Sequence, residues 1–555
     1  MLANGCSAGL RGWRAKGFQE TFCEMTEEIF DVAVIGAGFG GVYAAHRFRD
    51  EGLSVIGIEG ASGVGGTWYH NGYPGSRVDT DSIDLYSYLF SRVIYDGWQW
   101  KERYAAQPEL MEHLNWVVDK LDLRRLFRFD TWLREAQWSS EDRHWHLKTD
   151  GSNEIACRFL VMCTGNLSVP KPVSFPGLDR FKGEWLQSNR WPHREVRFKG
   201  RRVAIVGTGS SGVQAVPVVA REAEHLFVFQ RTPHYAVPAR NGPPNLEKQR
   251  EISGNLEDFK ESMLGRPTLP MGQEDRKPAA QYTPGEQRER MERQWVFGGH
   301  GMAYVFEDIG INRDSNEIAA EFVREKIRER VKDPLIAEKL CPDYPIGTRR
   351  LILEIDYYEC FNQAHVSLVD MREDPIEEIT ETGIRTRHNH YDVDLIIFAL
   401  GFRPFLGAID KAGVVNEKGQ APRDIWARGP RTVFGLMTPG FPNFFHPTNA
   451  GSPSVLGPLI LENEFHVDWI ADCIEYMRRS GYSTVEATEK GADIWGRKSA
   501  AVSENMIRRQ VDNYMVHVNP DDGSRIFQPW AGGMATYVPE VRRMTAQGYA
   551  GFAFK

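Results

Sequence analysis

Two glycine-rich turns in this chain have the residue types and spacing that bind the pyrophosphate of a dinucleotide. In the first, the apolar run 32–35 leads into Gly36, Gly38 and Gly41. In the second, the apolar run 203–206 leads into Gly207-Thr208-Gly209-Ser210-Ser211-Gly212. Each pattern predicts a buried strand, a tight turn and the start of a helix, whose free N–H groups attract phosphate oxygens. Two such turns indicate that electrons pass from one dinucleotide to another.

The residues that follow each turn indicate which dinucleotide binds there. Glu59 lies 23 positions after Gly36, where an acid can accept a hydrogen bond from the ribose of FAD or NAD. After the second turn this acid is absent, and Arg231-Thr232 stands at the end of the next apolar run. A guanidinium can pair with a 2′-phosphate, which favours NADPH over NADH. A plain strand–helix corner is the alternative for either turn alone, but it does not explain the complementary residues.

Composition excludes several classes of protein. The chain has 555 residues, 41% of them hydrophobic, which is enough for more than one core, and its net charge of −8 offers no basic surface to nucleic acid. The 7 cysteines are scattered, without a CxxC pair or a metal-binding cluster. The apolar runs are too short to span a bilayer. We expect a cytoplasmic protein without metal, nucleic-acid partner or transmembrane segment; a monomer and a weak dimer both remain open.

The fold class expected is α/β, with two Rossmann-like dinucleotide-binding domains. We expect a disordered tail over residues 1–24, or a true start at Met25, and the first part of an FAD domain over 25–168. Prolines after residue 168 mark a linker into an NADPH domain over 169–389, which carries a charge-rich helical insertion at about 240–345. Residues 390–555 then form the second part of the FAD domain.

Several local patterns predict individual elements. The apolar positions of 108–121 share one helical face, and 132–148 alternates like a strand. The periodic segment 318–331 predicts a helix that follows an Asp314…Glu317 capping box. The buried strand at Leu395–Phe398 is expected to return the chain to the first domain.

A longer pattern just beyond the first turn resembles the type I Baeyer–Villiger monooxygenases. The pattern is a small residue, Gly, any residue, Trp, four residues, an aromatic, Pro, Gly, three residues and Asp. It is met by Gly65-Gly66-Thr67-Trp68, Tyr73-Pro74-Gly75 and Asp79. The resemblance covers nearly all of residues 28–555, includes the run 347–353, and is strongest for the phenylacetone and cyclohexanone monooxygenase branch.

The resemblance implies an activity and its cofactors. Such enzymes hold FAD, reduce it with NADPH, and let the reduced flavin bind O₂ as a C4a-peroxyflavin. The peroxide attacks a ketone, and rearrangement inserts one oxygen next to the carbonyl to give an ester or lactone. A cyclic or arylalkyl ketone and O₂ are therefore the implied small-molecule partners.

The resemblance also implies roles for individual residues. Arg350 would be the central catalytic cation, and Asp79 would fix its position. Gly66, Thr67 and Trp68 would line the flavin. The resemblance also places Arg349, where relatives often have Lys, in the NADP site. There it would help Arg231, beside Thr232, to hold the 2′-phosphate. From the residues alone, a structural Arg350–Asp79 salt bridge, solvated surface arginines and a core tryptophan are the alternatives.

The chain departs from the family at two places that concern coupling. The fingerprint before the second turn, Phe-x-Gly-x-x-x-His-x-x-x-Trp, has Gln187 in place of the histidine, and an amide carries no proton charge near neutral pH. The mobile loop, expected at about 513–525, has Tyr514 where relatives have Trp, and Asp521-Asp522 replaces their lysine region.

Two other functions remain open at this point. One is a related flavin monooxygenase that acts on nitrogen or sulfur, or an NADPH oxidase uncoupled by the departures above. The other is a non-enzymatic redox sensor that keeps both nucleotide sites. Product analysis separates them, because only an oxygenase of ketones returns an ester. The sequence does not name the ketone or the group that migrates.

Overall fold

The structure is a computed structural model that describes residues 28–555, apart from 152, 153, 268, 270, 271 and 274. The tail expected over residues 1–24 and the alternative start at Met25 lie outside the described residues.

The strands of the described chain are β1 (Glu28–Ile35), β2 (Val55–Ile58), β3 (Phe127–Arg128), β4 (Leu133–Ser139), β5 (His144–Thr149), β6 (Glu154–Met162), β7 (Glu184–Gln187), β8 (Arg202–Val206), β9 (His225–Gln230), β10 (Ala236–Pro238), β11 (Ile352–Glu354), β12 (Val366–Asp370), β13 (Ile376–Ile379), β14 (Gly383–Thr386), β15 (His390–Asp392), β16 (Leu395–Phe398), β17 (Val414–Val415), β18 (Phe444–Phe445), β19 (Val485–Ala487), β20 (Val516–Val518), β21 (Arg525–Phe527) and β22 (Phe552–Phe554).

Its helices are α1 (Phe39–Asp50), α2 (Thr67–His70), α3 (Ser82–Leu85), α4 (Arg92–Asp96), α5 (Gln107–Lys120), α6 (Ser210–Ala220), α7 (Leu246–Gly254), α8 (Leu256–Leu264), α9 (Pro284–Phe297), α10 (Arg313–Arg330), α11 (Pro334–Leu340), α12 (Tyr357–Cys360), α13 (Leu406–Lys411), α14 (Pro422–Ile425), α15 (Leu459–Ser480), α16 (Glu489–Ser503) and α17 (Gly533–Ala546).

The first sheet carries the first glycine-rich turn. Its strand order is β17-β4-β5-β6-β1-β2-β3, and β18 also pairs with β6. The central strands β6, β1 and β2 are parallel, while β5 runs antiparallel to both β4 and β6. The four residues before the turn are buried, because a parallel sheet is covered on both faces. The predicted strand–turn–helix unit is thus confirmed as β1 and α1.

The second sheet carries the second turn and corrects one expectation. Its order is β12-β9-β8-β16-β7, with every pair parallel. We expected the strand at Leu395–Phe398 to return to the first domain, but as β16 it lies between β8 and β7. An apolar run predicts a buried strand and does not reveal which sheet receives it, because pairing is non-local. The chain rejoins the first sheet later, at β17 and β18.

Helices α7–α11 follow β10 and precede β11, and these two strands pair in parallel. The helix predicted at 318–331 is present as α10, but the predicted capping box is wrong. Asn312 is the N-cap, and its side chain accepts hydrogen bonds from the N–H groups of Asp314 and Ser315. The helix begins at Arg313, which places Asp314 in its first turn instead of at its cap.

The family-type segment 73–79 joins the two nucleotide-binding units. Tyr73 Oη donates to Gln214 Oε1 on α6 at 2.7 Å, and Gln214 Nε2 donates to the Arg77 carbonyl at 3.2 Å. Gly75 has φ +81°, and a Cβ there would lie 2.3 Å from the Gln214 carbonyl oxygen. A side chain at Gly75 would therefore separate the loop that ends at Asp79 from the helix of the second turn. No helix in the described ranges is long and apolar enough to cross a membrane.

Candidate functional site

The first glycine-rich turn brings Glu59 to the start of α1. The Glu59 carboxylate accepts hydrogen bonds from the N–H groups of Ala37 at 2.7 Å and Ala61 at 2.8 Å. Burial raises the pKa of Glu59, and these two N–H groups oppose that rise. The acid predicted for a ribose is thus held at the turn by backbone donors, and its role toward a ribose stays a prediction.

The surface around this turn has the shape that a pyrophosphate needs. A Cβ on Gly66 would lie 2.9 Å from the Gly38 Cα, so the two backbones approach without side chains between them. The Gly65 N–H donates to the Ala37 carbonyl at 2.9 Å, which ties the loop before Thr67 to the turn. Gly38, Gly66 and Glu59, three of the residues predicted for FAD, therefore lie together near the N-terminus of α1, and this surface fits the cofactor.

The second turn offers a similar site at the N-terminus of α6. Gly207 has φ +110°, and a Cβ added to it would lie 2.5 Å from the Ala399 carbonyl oxygen. Apart from its chain neighbours, nothing in the described residues lies within 4 Å of a Cβ placed on Gly209, so the N-cap faces open space. No side chain of the described residues caps α6, which leaves its first N–H groups for a phosphate. Thr208 Oγ1 donates to the Thr232 carbonyl at 3.3 Å and links the turn to the next loop.

Arg231 and Arg349 both lie near His234, although they come from different loops. The Arg349 guanidinium stacks on Tyr344 at 4.7 Å from the ring centre, and Tyr344 Oη lies 3.2 Å from His234 Nδ1. Burial, then Arg349, then Arg231 lower the pKa of His234 to about 4, so its ring is neutral at pH 7. Both cations thus act on the same histidine, and their role toward a 2′-phosphate stays a prediction. Sequence reasoning missed His234, which no motif singled out.

Replacing Arg231 or Arg349 by glutamine is expected to raise the KM for NADPH by about 10- to 100-fold, because each change removes a charge-assisted hydrogen bond. The KM for NADH, which has no 2′-phosphate, should change little. Steady-state kinetics with both coenzymes measures the difference, and Arg221→Gln, an exposed arginine after α6, is the control. An equal rise for NADH would contradict the assignment.

Arg350 and Asp79 form a bidentate ion pair across 271 positions of the chain. Arg350 Nε donates to Oδ2 at 2.6 Å and Nη2 donates to Oδ1 at 2.8 Å. Nη1 donates to the Val455 carbonyl at 3.1 Å. Burial acts to raise the pKa of Asp79, but Arg350 and the neighbouring His300 together outweigh it and hold that pKa well below its usual range. Burial acts to lower the pKa of Arg350, and Asp79 more than offsets this, so the cation is permanent.

His300 is a third member of this cluster, and sequence reasoning missed it. Its Nε2 lies 3.5 Å from Asp79 Oδ2, beyond normal hydrogen-bond reach, and has no hydrogen-bond partner within the described residues. The side chain is 7% exposed. The preceding Gly298 and Gly299 both have φ +77° and turn the chain toward Asp79. The signal available in the sequence was the Gly-Gly-His run itself, which is not specific to a site.

Aromatic side chains flank the ion pair. Trp68 packs edge-on against Tyr86, with ring centres 5.7 Å apart, and its carbonyl accepts a hydrogen bond from Gln107 Nε2 at 2.6 Å. Tyr514 is 40% exposed, but desolvation of its hydroxyl still raises its pKa, a change that Arg350 opposes, so the phenol is neutral at pH 7. Arg350 and Tyr514 share one pocket, whose walls are Leu269, His300, Ala303, Tyr304, Gly347, Arg350, Leu351, Val455, Leu456, Arg508, Tyr514 and Met515.

The two departures from the family pattern have defined positions. Gln187 ends β7, and its Nε2 donates to the Lys171 carbonyl at 3.4 Å, which ties the strand to the proline-rich linker. The segment 513–525, predicted to be a mobile loop, contains β20 and the start of β21, which pair antiparallel as a hairpin. Its mobility stays a prediction.

A buried acid, Glu462, supports the loop that carries Val455. Its Oε1 accepts a hydrogen bond from the Ser454 N–H at 2.8 Å, while Oε2 has no partner among the described residues. Burial raises the pKa of Glu462 to about 7. His466 Nε2 lies 4.0 Å away, but burial lowers its pKa to about 3, so it provides no counter-charge.

Glu462→Gln is expected to stabilise the protein at alkaline pH. The folded chain keeps this proton above the pH at which the unfolded chain loses it, so stability falls as pH rises from about 4.5 to about 7. The isosteric glutamine amide does not ionise and so avoids this loss of folding free energy, which is about 3 kcal/mol at pH 8 and about 1 kcal/mol or less near pH 4.5. Thermal unfolding of the holoenzyme at both pH values measures it, with the exposed Glu504→Gln as control. Equal midpoints for Glu462→Gln and the parent at pH 8 would contradict it.

No group of His, Cys, Asp and Glu in the described part of the chain is arranged to hold a metal ion.

Comparison with known proteins places the chain in a family. Residues 30–241 match the flavin-binding monooxygenase-like family. The chain is 36% identical to 2-oxo-Δ³-4,5,5-trimethylcyclopentenylacetyl-CoA monooxygenase of Pseudomonas putida, over 94% of this chain and 98% of the relative. It is 35% identical to a Baeyer–Villiger monooxygenase of Pseudooceanicola batsensis, over 94% of this chain and 95% of the relative.

A solved structure, OTEMO in complex with FAD and NADP, superposes with a TM-score of 0.90 at 34% identity. The match covers 95% of this chain and 100% of that one. Similarity of sequence and fold thus extends over nearly the whole described chain. The chain therefore belongs to the Baeyer–Villiger monooxygenases, within the flavin-binding monooxygenase-like family.

Proposed function

We propose that this chain binds FAD at the first glycine-rich turn and NADPH at the second, and oxidises a cyclic or arylalkyl ketone to a lactone or ester with O₂. The observation that carries the proposal is the bidentate Arg350–Asp79 pair, whose arginine lines a pocket. The FAD and NADP in the OTEMO complex, and the ketone-oxygenating relatives, support the choice of cofactors and reaction.

The chain's domains follow from the same assignment. The first sheet, with the turn at Gly36, would form the FAD domain from residues 25–168 and from the chain after β16. The second sheet would form the NADPH domain from 169 to the end of β16, with α7–α11 as the helical insertion expected at about 240–345. The start of the second FAD segment thus moves beyond residue 390, because β15 and β16 precede the return to the first sheet.

Arg350 would stabilise the negative charge that develops on the ketone oxygen. When bound, the flavin would provide the group that reacts with O₂, and NADPH would provide the hydride that reduces the flavin. The guanidinium is a fixed cation beside an apolar wall, where a hydrogen bond to a developing oxyanion is stronger than in water. Asp79 accepts from Nε and Nη2, and Val455 accepts from Nη1, so the second N–H groups of Nη1 and Nη2 are the donors left for the ketone oxygen. Tyr514 and Met515 would exclude water from the same space.

Incubation of the FAD-loaded enzyme with NADPH, ¹⁸O₂ and a panel of cyclic, arylalkyl and sulfide substrates tests the function. The expected result is one ¹⁸O atom in an ester or lactone, next to the former carbonyl carbon. Label found in sulfoxide or N-oxide products alone, with every ketone returned unchanged, would instead favour a nitrogen- or sulfur-oxygenating enzyme. Recovery of all label as peroxide would favour an oxidase.

The location and the state of assembly complete the proposal. The cysteines in the described ranges are all free, which is consistent with a reducing cytoplasm. We place the enzyme there as a monomer or weak dimer, and light scattering across a range of protein concentrations measures the state of assembly.

A further inference from the structure

Arg508 places a second cation in the pocket that contains Arg350. It lies in the short 3₁₀ turn Ile507–Gln510, and its side chain forms part of the pocket wall. Nε and Nη2 both donate to the carbonyl of Gly347, at 2.8 and 2.5 Å. Two hydrogen bonds to one oxygen fix the guanidinium against the loop that leads to Arg350.

Arg508 has no counter-ion. Across the described ranges, no carboxylate oxygen lies within 4.0 Å of its nitrogens, and no Asp or Glu of those residues lines the pocket. Asp512, on the same segment, pairs with Arg525 instead. Nη1 of Arg508 has no acceptor among the described residues. Arg508 is partly exposed, so an anion that enters the pocket could reach its free N–H groups and form charge-assisted hydrogen bonds with them.

A neutral ketone would not need a second cation in this pocket, because the rest of the pocket wall is mostly apolar. Apart from Arg350, His300, Tyr304 and Tyr514, the walls are apolar, and they include Leu269, Ala303, Leu351, Val455, Leu456 and Met515. A neutral ketone in such a pocket needs one donor for its carbonyl oxygen, and Arg350 supplies it. Arg508 then has no partner on the substrate unless the substrate carries an anion.

We propose that the substrates of this enzyme are ketones that carry an anionic group, and that Arg508 binds this group while Arg350 acts at the carbonyl. The inference rests on the proposed function. The free Nη1 and the outer N–H of Nη2 present a planar pair of donors, which matches the two oxygens of a carboxylate or phosphate. A phosphate of NADPH is the other possible source of the anion, although α6, Arg231 and Arg349 already provide a phosphate site.

The test compares a cyclohexanone that bears a ring carboxylate with the near-isosteric carboxamide. Binding of each to the FAD- and NADP⁺-loaded enzyme is measured by calorimetry, and kcat/KM by ester formation. The parent enzyme is expected to prefer the carboxylate about tenfold in both quantities, as for a charge-assisted hydrogen bond. Arg508→Gln should reduce this ratio to about one, and Arg508→Lys should keep part of it. Arg509→Gln is the control, because Arg509 Nε donates to the Arg525 carbonyl and lies outside the pocket wall.

Three results would overturn the inference. A carboxylate-to-carboxamide ratio near one in the parent enzyme is the first, and an unchanged ratio in Arg508→Gln is the second. The third is a higher dissociation constant for NADP⁺ in Arg508→Gln with the ratio unchanged, which would assign the anion to the coenzyme. If no ester forms from either ketone, the proposed function fails, whereas the calorimetric ratio still tests the anion site.

Discussion

Replacement of Arg350 by alanine is expected to reduce ester formation by about a thousandfold or more while FAD stays bound. Arg350 lies in the pocket wall, and its charge is permanent because Asp79 is its bidentate partner. Loss of one donor to a developing oxyanion costs about a hundred- to thousandfold in rate, and here a full positive charge is lost with it. Single-turnover measurement of ester after mixing with O₂, together with the flavin spectrum, gives both quantities.

Two further variants separate chemistry from folding. Arg350→Lys keeps the charge and loses the planar fork, so it should recover about tenfold over alanine. Arg103→Gln removes a guanidinium 3.3 Å from Asp81, in an ion pair of similar exposure outside the pocket, and should leave ester formation near the parent level. If Arg350→Ala forms ester at the parent rate, the pair is a structural salt bridge.

Asp79→Asn is expected to lower kcat/KM for the ketone by about a hundredfold. The amide has the shape of the carboxylate but loses the charge that aligns Nε and Nη2 of Arg350, and one of its ends donates instead of accepts. The pKa of Asp79 is held well below its usual range, so its charge is present at neutral pH and is lost only in strong acid. The parent enzyme should therefore show no loss of kcat/KM from this group between about pH 5 and pH 8.

The pH profile and a matched acid test this role. Asp81→Asn, in the neighbouring ion pair with Arg103, should keep the activity of the parent enzyme. If Asp79→Asn retains full kcat/KM, or if the parent loses activity through one group with a pKa near 6 that disappears in Asp79→Asn, the account of Asp79 is wrong.

The local parts of this fold were open to prediction from sequence. The strand–turn–helix units at Gly36 and Gly207 follow from apolar runs and glycine spacing, which act over a few residues. The position of Leu395–Phe398 in the second sheet did not follow, because pairing with β7 and β8 is decided by distant segments. The N-cap of α10 was misplaced because two side chains near its start, Asn312 and Asp314, both suit a cap.

The sequence predicts the site residues that belong to a motif. It does not predict those that reach the site only through tertiary packing. Asp79 and Arg350 belong to runs that resemble a known family, so the sequence predicts both, and the structure brings them into contact. His300, Arg508 and Glu462 belong to no such run, and each reaches the site from a different part of the chain. The spacing of residues along the sequence does not indicate which distant segments pack together.

Gln187 stands where the family pattern has histidine, and its contact in the structure does not depend on charge. The contact visible there is a hydrogen bond from an amide to the Lys171 carbonyl, which needs a donor and no charge. An amide supplies that donor as well as an imidazole does. The structure thus gives a physical reason for coupling to survive the substitution, and the expectation remains to be tested.

The most direct test of the central claim is a balance on the FAD-loaded enzyme with a cyclic ketone. It measures NADPH consumed, lactone formed and H₂O₂ released in one reaction. With Arg350 paired to Asp79 beside an apolar pocket, we expect lactone to form nearly one-for-one with NADPH and little peroxide to appear. Consumption of NADPH that ends entirely in H₂O₂ with every ketone, charged or neutral, would contradict the account and identify an NADPH oxidase.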